Sequence, residues 1–79
     1  MNAQLAAAEI IELIEENYSY QRDAGGKSIE HAHWMLIGIA QGYVQHEKAH
    51  RWLGYAQALL ISGHVTTLEE MKAINRRAG

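Results

Sequence analysis

SIEHAHWMLIGIAQGYVQHEKAHRWLGYAQALLIS, residues 28–62, decides how this chain folds. Apolar side chains recur through it at three- and four-residue steps. One stripe runs Ile29, Leu36, Ile39/Ala40, Tyr43, Leu53, Leu60, with His33, Glu47, His50 and Gln57 in the same register. A second stripe, Met35, Ile37, Val44, Trp52, Ala56, Leu59, widens it. That spacing is the period of an α-helix. Ser28 can cap the start, and Ser62-Gly63 is the first strong stop. Gly38, Gly42 and Gly54 each weaken a helix by up to ~1 kcal/mol relative to alanine but do not by themselves end it. The pattern therefore predicts one central helix of about 34 residues, roughly 50 Å long.

Two shorter helices flank it. Ala3, Ala6, Ala7, Ile10, Leu13, Ile14 and Tyr18 form an apolar stripe behind an Asn2 cap, which predicts a helix from Ala3 to about Tyr18. Residues 19–27, with Gly25-Gly26, read as a loop. Gly25-Gly26-Lys27-Ser28 lacks the first glycine and the preceding strand of a phosphate-binding loop. Thr66-Thr67-Leu68-Glu69-Glu70 offers two overlapping capping-box registers. A third helix follows from about Leu68 to Arg77, with Leu68, Met71 and Ile74 inward and Gly63 as the left-handed residue before the turn. The expected fold is all-α, a single domain over 1–79, with two short antiparallel helices packed on a long one.

The 79 residues contain no cysteine, proline or phenylalanine and carry a formal charge of −2. Without cysteine, disulfides and thiolate zinc sites are excluded as staples. No run approaches the ~20 apolar residues of a membrane span, and Met1–Ala8 has no basic region of the kind that opens a secretory signal. A cytoplasmic protein with no membrane partner is expected. Charge is split along the chain: residues 1–30 hold six acids and two bases, residues 31–79 three acids and five bases. The acidic and basic ends can face each other, within one chain or between two. The balance lacks the strong basic patch of a general nucleic-acid binder.

His46-Glu47-Lys48-Ala49-His50 matches the H-E-x-x-H of zinc proteases, where two histidines one turn apart hold the metal. A third ligand and a cleft are missing from the pattern. Glu30-x-x-His33 and Glu47-x-x-His50 are each the E-x-x-H pair of di-iron bundles, but on one helix they lie roughly 25 Å apart. Neither motif is taken as a metal site. Tyr43, Glu47 and His50 are expected as a polar break in a helix–helix seam. No catalytic residue, metal or cofactor is expected.

Arg51-Trp52-Leu53-Gly54-Tyr55-Ala56-Gln57, followed by Leu60, Gly63, Thr67, Glu70, Lys72 and Asn75-Arg76, resembles a pattern in small accessory proteins of tailed bacteriophages and prophages. The resemblance covers about a third of the chain. It implies a non-enzymatic protein, made in a bacterial host cell, that binds and modulates or inhibits a host protein. The residues expected at such a contact are Glu9, Glu12 and Glu16 on helix 1, the aromatics Tyr43, Trp52 and Tyr55, and Arg76 and Arg77. The alternative is a small helix-turn-helix-like DNA-binding regulator, in which Gly63–Thr66 is the turn and Lys72, Asn75 and Arg76 read bases. A homodimer is expected as well. A 50 Å rod covered on one side would leave Ile39, Tyr43, Val44, Trp52 or Leu53 bare, with Gly38 and Gly42 admitting a second backbone.

Overall fold

The computed structural model describes residues 1–17 and 26–79. Among these, four helices form and no strand: α1 (Ala3–Asn17), α2 (Gly26–Ala40), α3 (His46–Ser62) and α4 (Leu68–Ala78). The end of helix 1 at Tyr18 and most of the loop expected at 19–27 lie outside the described residues.

The long central helix is not formed. It is cut at residues 41–45 into α2 and α3, and the cut has a local cause. Gly42 takes φ +82, a left-handed conformation that glycine adopts without the usual steric cost. The Gly42 N–H then donates to Ile39 O at 3.1 Å and the Tyr43 N–H to Gly38 O at 3.0 Å. These bonds close the helix end and satisfy carbonyls that would otherwise face no partner. The chain reverses and α3 returns antiparallel along α2. The molecule measures 33 Å in its longest dimension, too short for the expected rod.

Asn2 does cap α1: the Leu5 N–H donates to its Oδ1 at 3.1 Å. α2 begins at Gly26, so Ser28 lies inside the helix and is not its cap. α3 ends with Gly63 at φ −82 and His64 at φ +61. The left-handed residue is therefore the histidine and not the glycine. Before α4, Thr67 and Glu70 complete a reciprocal capping box, with Glu70 N–H on Thr67 Oγ1 and Thr67 N–H on Glu70 Oε1, both at 3.1 Å. Of the two registers the sequence offered, this is the one used. Thr66 is buried beneath the turn, and its hydroxyl donates to Glu70 Oε1 at 2.9 Å.

The core runs through all four helices. α1 contributes Ala3, Ala6, Ala7, Ile10 and Ile14; α2 Ile29, Ala32, Met35, Leu36 and Ile39; α3 Ala49, Leu53, Ala56 and Leu60; α4 Met71 and Ile74. Leu68, expected inward, is 53% exposed. Ile39, Val44 and Leu53, expected on a bare side, are buried because the hairpin supplies the cover the rod lacked. Gly38 faces Val44 and Trp52 of its own chain. Truncating Leu36, Leu53 or Leu60 to alanine would cost about 2–5 kcal/mol at such fully enclosed positions. The exposed surface, 5030 Å², is close to the ~4,800 Å² of an ordinary monomer of this mass. The core is closed within one chain.

α1 lies between α2 and α4. Asn2 N–H donates to Ala78 O at 2.9 Å, and Arg77 Nε donates to Glu9 Oε1 at 2.9 Å, with Nη2 on the same oxygen. His33 Nε2 meets Glu15 Oε2 at 3.2 Å, which ties α2 to the far end of α1.

Candidate interaction surface

The α2–α3 hairpin places together aromatic residues that are distant in sequence. In a continuous helix Trp34 and Trp52 would sit roughly 27 Å apart. Across the hairpin their ring centroids are 5.5 Å apart. His31, one turn earlier on α2, stacks on Trp34 at 5.8 Å with an interplanar angle of 17°. Tyr55, one turn later on α3, meets His31 edge-on at 6.3 Å. Lys48 holds its Nζ over the ring of Trp52, 5.4 Å from the centroid, an ammonium–ring attraction. Trp34 and Tyr55 lie outside the core, and Trp52 packs partly buried against it. Trp34 is 60% exposed and Tyr55 56%, while Trp52 is half-buried.

At the turn end, the array opens into a cleft of about 380 Å³ lined by Trp34, Ile37, Gly38, Gln41, Tyr43, Val44 and Trp52. Tyr43 stands at its edge, 81% exposed. Large aromatics with open faces beside an apolar hollow are the residue types that dominate binding energy at interfaces.

The eight expected contact residues separate into two groups. Trp52, Tyr55 and Tyr43 belong to the aromatic face. Glu9, Glu12, Glu16, Arg76 and Arg77 lie on α1 and α4. Of these, Glu9 and Arg77 bind each other, so the acidic and basic ends do face, within the chain. Glu12 and Glu16 border a shallow hollow with Leu13 and Ile74, and Arg76 is exposed. The expected set omitted His31, Trp34 and Lys48. For His31 and Trp34 a signal was present: they mirror Tyr55 and Trp52 about Tyr43 at equal distances, the spacing of a hairpin that pairs rings.

The H-E-x-x-H histidines, read in the sequence as lacking a cleft, do border one. His46 and His50 border another cleft, of about 440 Å³, with Asn2, Ala3, Gln4, Val44, Gln45 and Ala49. Glu47 is exposed, His33 is engaged by Glu15, and no three His, Cys, Asp or Glu side chains among the described residues are placed to hold a metal ion. The polar seam expected from Tyr43, Glu47 and His50 is not formed, since all three are exposed. The break in the helix leaves Tyr43 in the turn and puts Glu47 and His50 on the exposed side of α3.

The α3–turn–α4 unit has the outline of a helix-turn-helix, but its second helix presents Glu69 and Glu70 in its first turn. A recognition helix places that turn against DNA, where carboxylates meet phosphate charge. Asn75 is half-buried and accepts from Gln57 Nε2 at 2.8 Å, which turns it away from a base-reading role. No helix among the described residues is long and apolar enough to cross a membrane. Compared with protein-family models, with curated proteins and with solved structures, the chain gives no match.

Proposed function

We propose that this chain is a non-enzymatic interaction protein whose contact surface is the aromatic face of the α2–α3 hairpin. The observation that carries this reading is Trp34: a tryptophan 60% exposed inside a continuous array of rings, on a chain whose core is already closed without it. Leaving a large ring in water forgoes burial worth about 1.5–3 kcal/mol for a large apolar side chain, and a partner that covers it recovers that term. The resemblance of residues 51–76 to small proteins of tailed phages and prophages supports a cytoplasmic setting in a bacterial host. There, binding and modulation of a host protein is the expected role.

A photo-crosslinking residue in place of Trp34 tests this reading in bacterial cells, with one in place of Glu69 as the control. The expected result is a discrete adduct from position 34 and none from position 69. Equal labelling from both positions, or none from position 34, rejects the aromatic face as the contact surface.

A further inference from the structure

We propose that His46 and His50 form a two-imidazole site for a divalent transition-metal ion of the zinc, nickel or copper class, open on its other side to water. Both histidines are exposed, and both line the cleft of about 440 Å³ that α3 shares with the start of α1. They stand four residues apart on α3, roughly 6 Å along its axis, the spacing at which two imidazoles on one helix share an ion. Among the described residues neither ring has a hydrogen-bond, ion-pair or ring partner. His33, by contrast, is held by Glu15, and His31 is stacked on Trp34.

The cleft suits such an ion. No lysine or arginine lines it, and its other polar side chains are the neutral carboxamides of Asn2, Gln4 and Gln45. The positive end of the α3 dipole opposes a cation, and Glu47 in the same first turn offsets it. Imidazole nitrogen selects zinc, nickel and copper over magnesium and calcium, which take oxygen. Two protein ligands leave the remaining positions to water, where a closed or catalytic zinc site would have three or four. The chelate also acts on the fold. α3 enters from Gln45 without a side-chain cap, and His46 opens it at φ +57. An ion shared by the first and fifth residues of α3 ties together the turn that lacks a cap. The unfolded chain does not hold the two rings one turn apart, so the bound ion stabilises the folded chain.

Calorimetric titration of the untagged full chain with zinc chloride at neutral pH tests the site. The expected result is one ion bound with a Kd of about 100 µM or tighter, and a Tm raised by about 5 °C with zinc at about ten times that Kd. His46→Ala and His50→Ala, at exposed positions where circular dichroism should show an intact fold, should each weaken binding about tenfold or more. His64→Ala, which removes an exposed imidazole elsewhere, should leave binding unchanged. Imidazole NMR of the unaltered chain reads the same site without any substitution: zinc should shift His46 and His50 and leave His64 in place. No saturable binding at about 1 mM zinc overturns the proposal. So does binding indifferent to either cleft alanine, an equal loss in His64→Ala, or shifts at His31 and His33 in place of His46 and His50.

Discussion

The chain reverses twice along the same backbone path, at residues 41–45 and again at 63–67, using different chemistry each time. In the first turn Gln41, Gly42 and Tyr43 N–H donate to Ile37, Ile39 and Gly38 O. In the second, Gly63, His64 and Val65 donate to Leu59, Ile61 and Leu60 O, the same bonds displaced by 22 residues. Both put one residue in the left-handed region, and both seat a buried residue, Val44 or Thr66, two positions later. The first turn has the better exit, glycine at φ +82, but enters α3 from Gln45 with no side-chain cap. The second leaves through His64 at φ +61, where a Cβ is disfavoured, but enters α4 through a complete capping box. A helical turn therefore needs one strong half, either a free exit or a tight entry, when the packing of the helices it joins supplies the rest.

Replacing the strong half should cost most. Gly42→Val puts a β-branched residue at φ +82, with a Cβ 3.3 Å from Gln4 Nε2. The left-handed conformation should destabilise by about 2 kcal/mol, or a Tm lower by about 10 °C, measured by thermal circular dichroism. A variant that instead kept its Tm and lengthened into the 28–62 rod would show that α2 and α3 are held apart by Gly42 alone and not by the core between them.

That break is where the sequence was hardest to read. Gly38, Gly42 and Gly54 look alike in a helical pattern, yet they have three different roles. Gly38 packs against Val44 and Trp52, Gly42 is left-handed, and Gly54 has open space where a Cβ would stand. The apolar period also runs across the turn, because Val44 is buried in it as a helical residue would be. No signal in the sequence tells Gly42 from Gly38 and Gly54: Gly42 closes the helix locally, but it is the packing of α3 on α2 that picks it out. The terminal caps were legible, because Asn2 with Leu5 and Thr67 with Glu70 are local pairs three residues apart. The aromatic face was legible only in part. Trp34, Trp52 and Tyr55 stand out by type, whereas His31 and Lys48 join them only once the chain folds back.

The strong half of the second turn is its entry. Thr67→Ala removes the oxygen that accepts from Glu70 N–H and should cost about 1 kcal/mol. Chemical denaturation should show a lower midpoint at unchanged slope. An unchanged midpoint would mean that the buried Thr66 hydroxyl and Glu70 hold the α4 entry without Thr67.

Improving a weak half should help, by less. His64→Gly relieves the left-handed strain at φ +61 but gives the unfolded chain more freedom, so the net gain should be about 0.5 kcal/mol. His64 is exposed, which leaves little else to lose. A loss of stability on this change would show that the imidazole makes a contact worth more than the strain.

The smallest effect belongs to the entry of α3. Gln45 has the extended backbone of a cap residue, φ −128 and ψ 165, yet its side chain turns back and Nε2 donates to Gly42 O at 2.9 Å. Serine at this position could accept from an amide of the first turn of α3, a bond worth about 1 kcal/mol. The change gives up the bond to Gly42 O, worth about 0.5–1 kcal/mol where solvent competes. Lys48 stands where a capping box needs Glu or Gln, so the reciprocal bond cannot form. The net gain from Gln45→Ser should be a few tenths of a kcal/mol, a Tm rise of about 2 °C. His46 separates two causes of the weak entry. It opens α3 at φ +57, so the strain lies in the backbone as well as in the missing cap. If Gln45→Ser has no effect while His46→Gly raises the Tm, the first turn is weak because of the His46 backbone. If serine helps and glycine does not, the missing cap is the cause, and the two turns differ by chemistry alone.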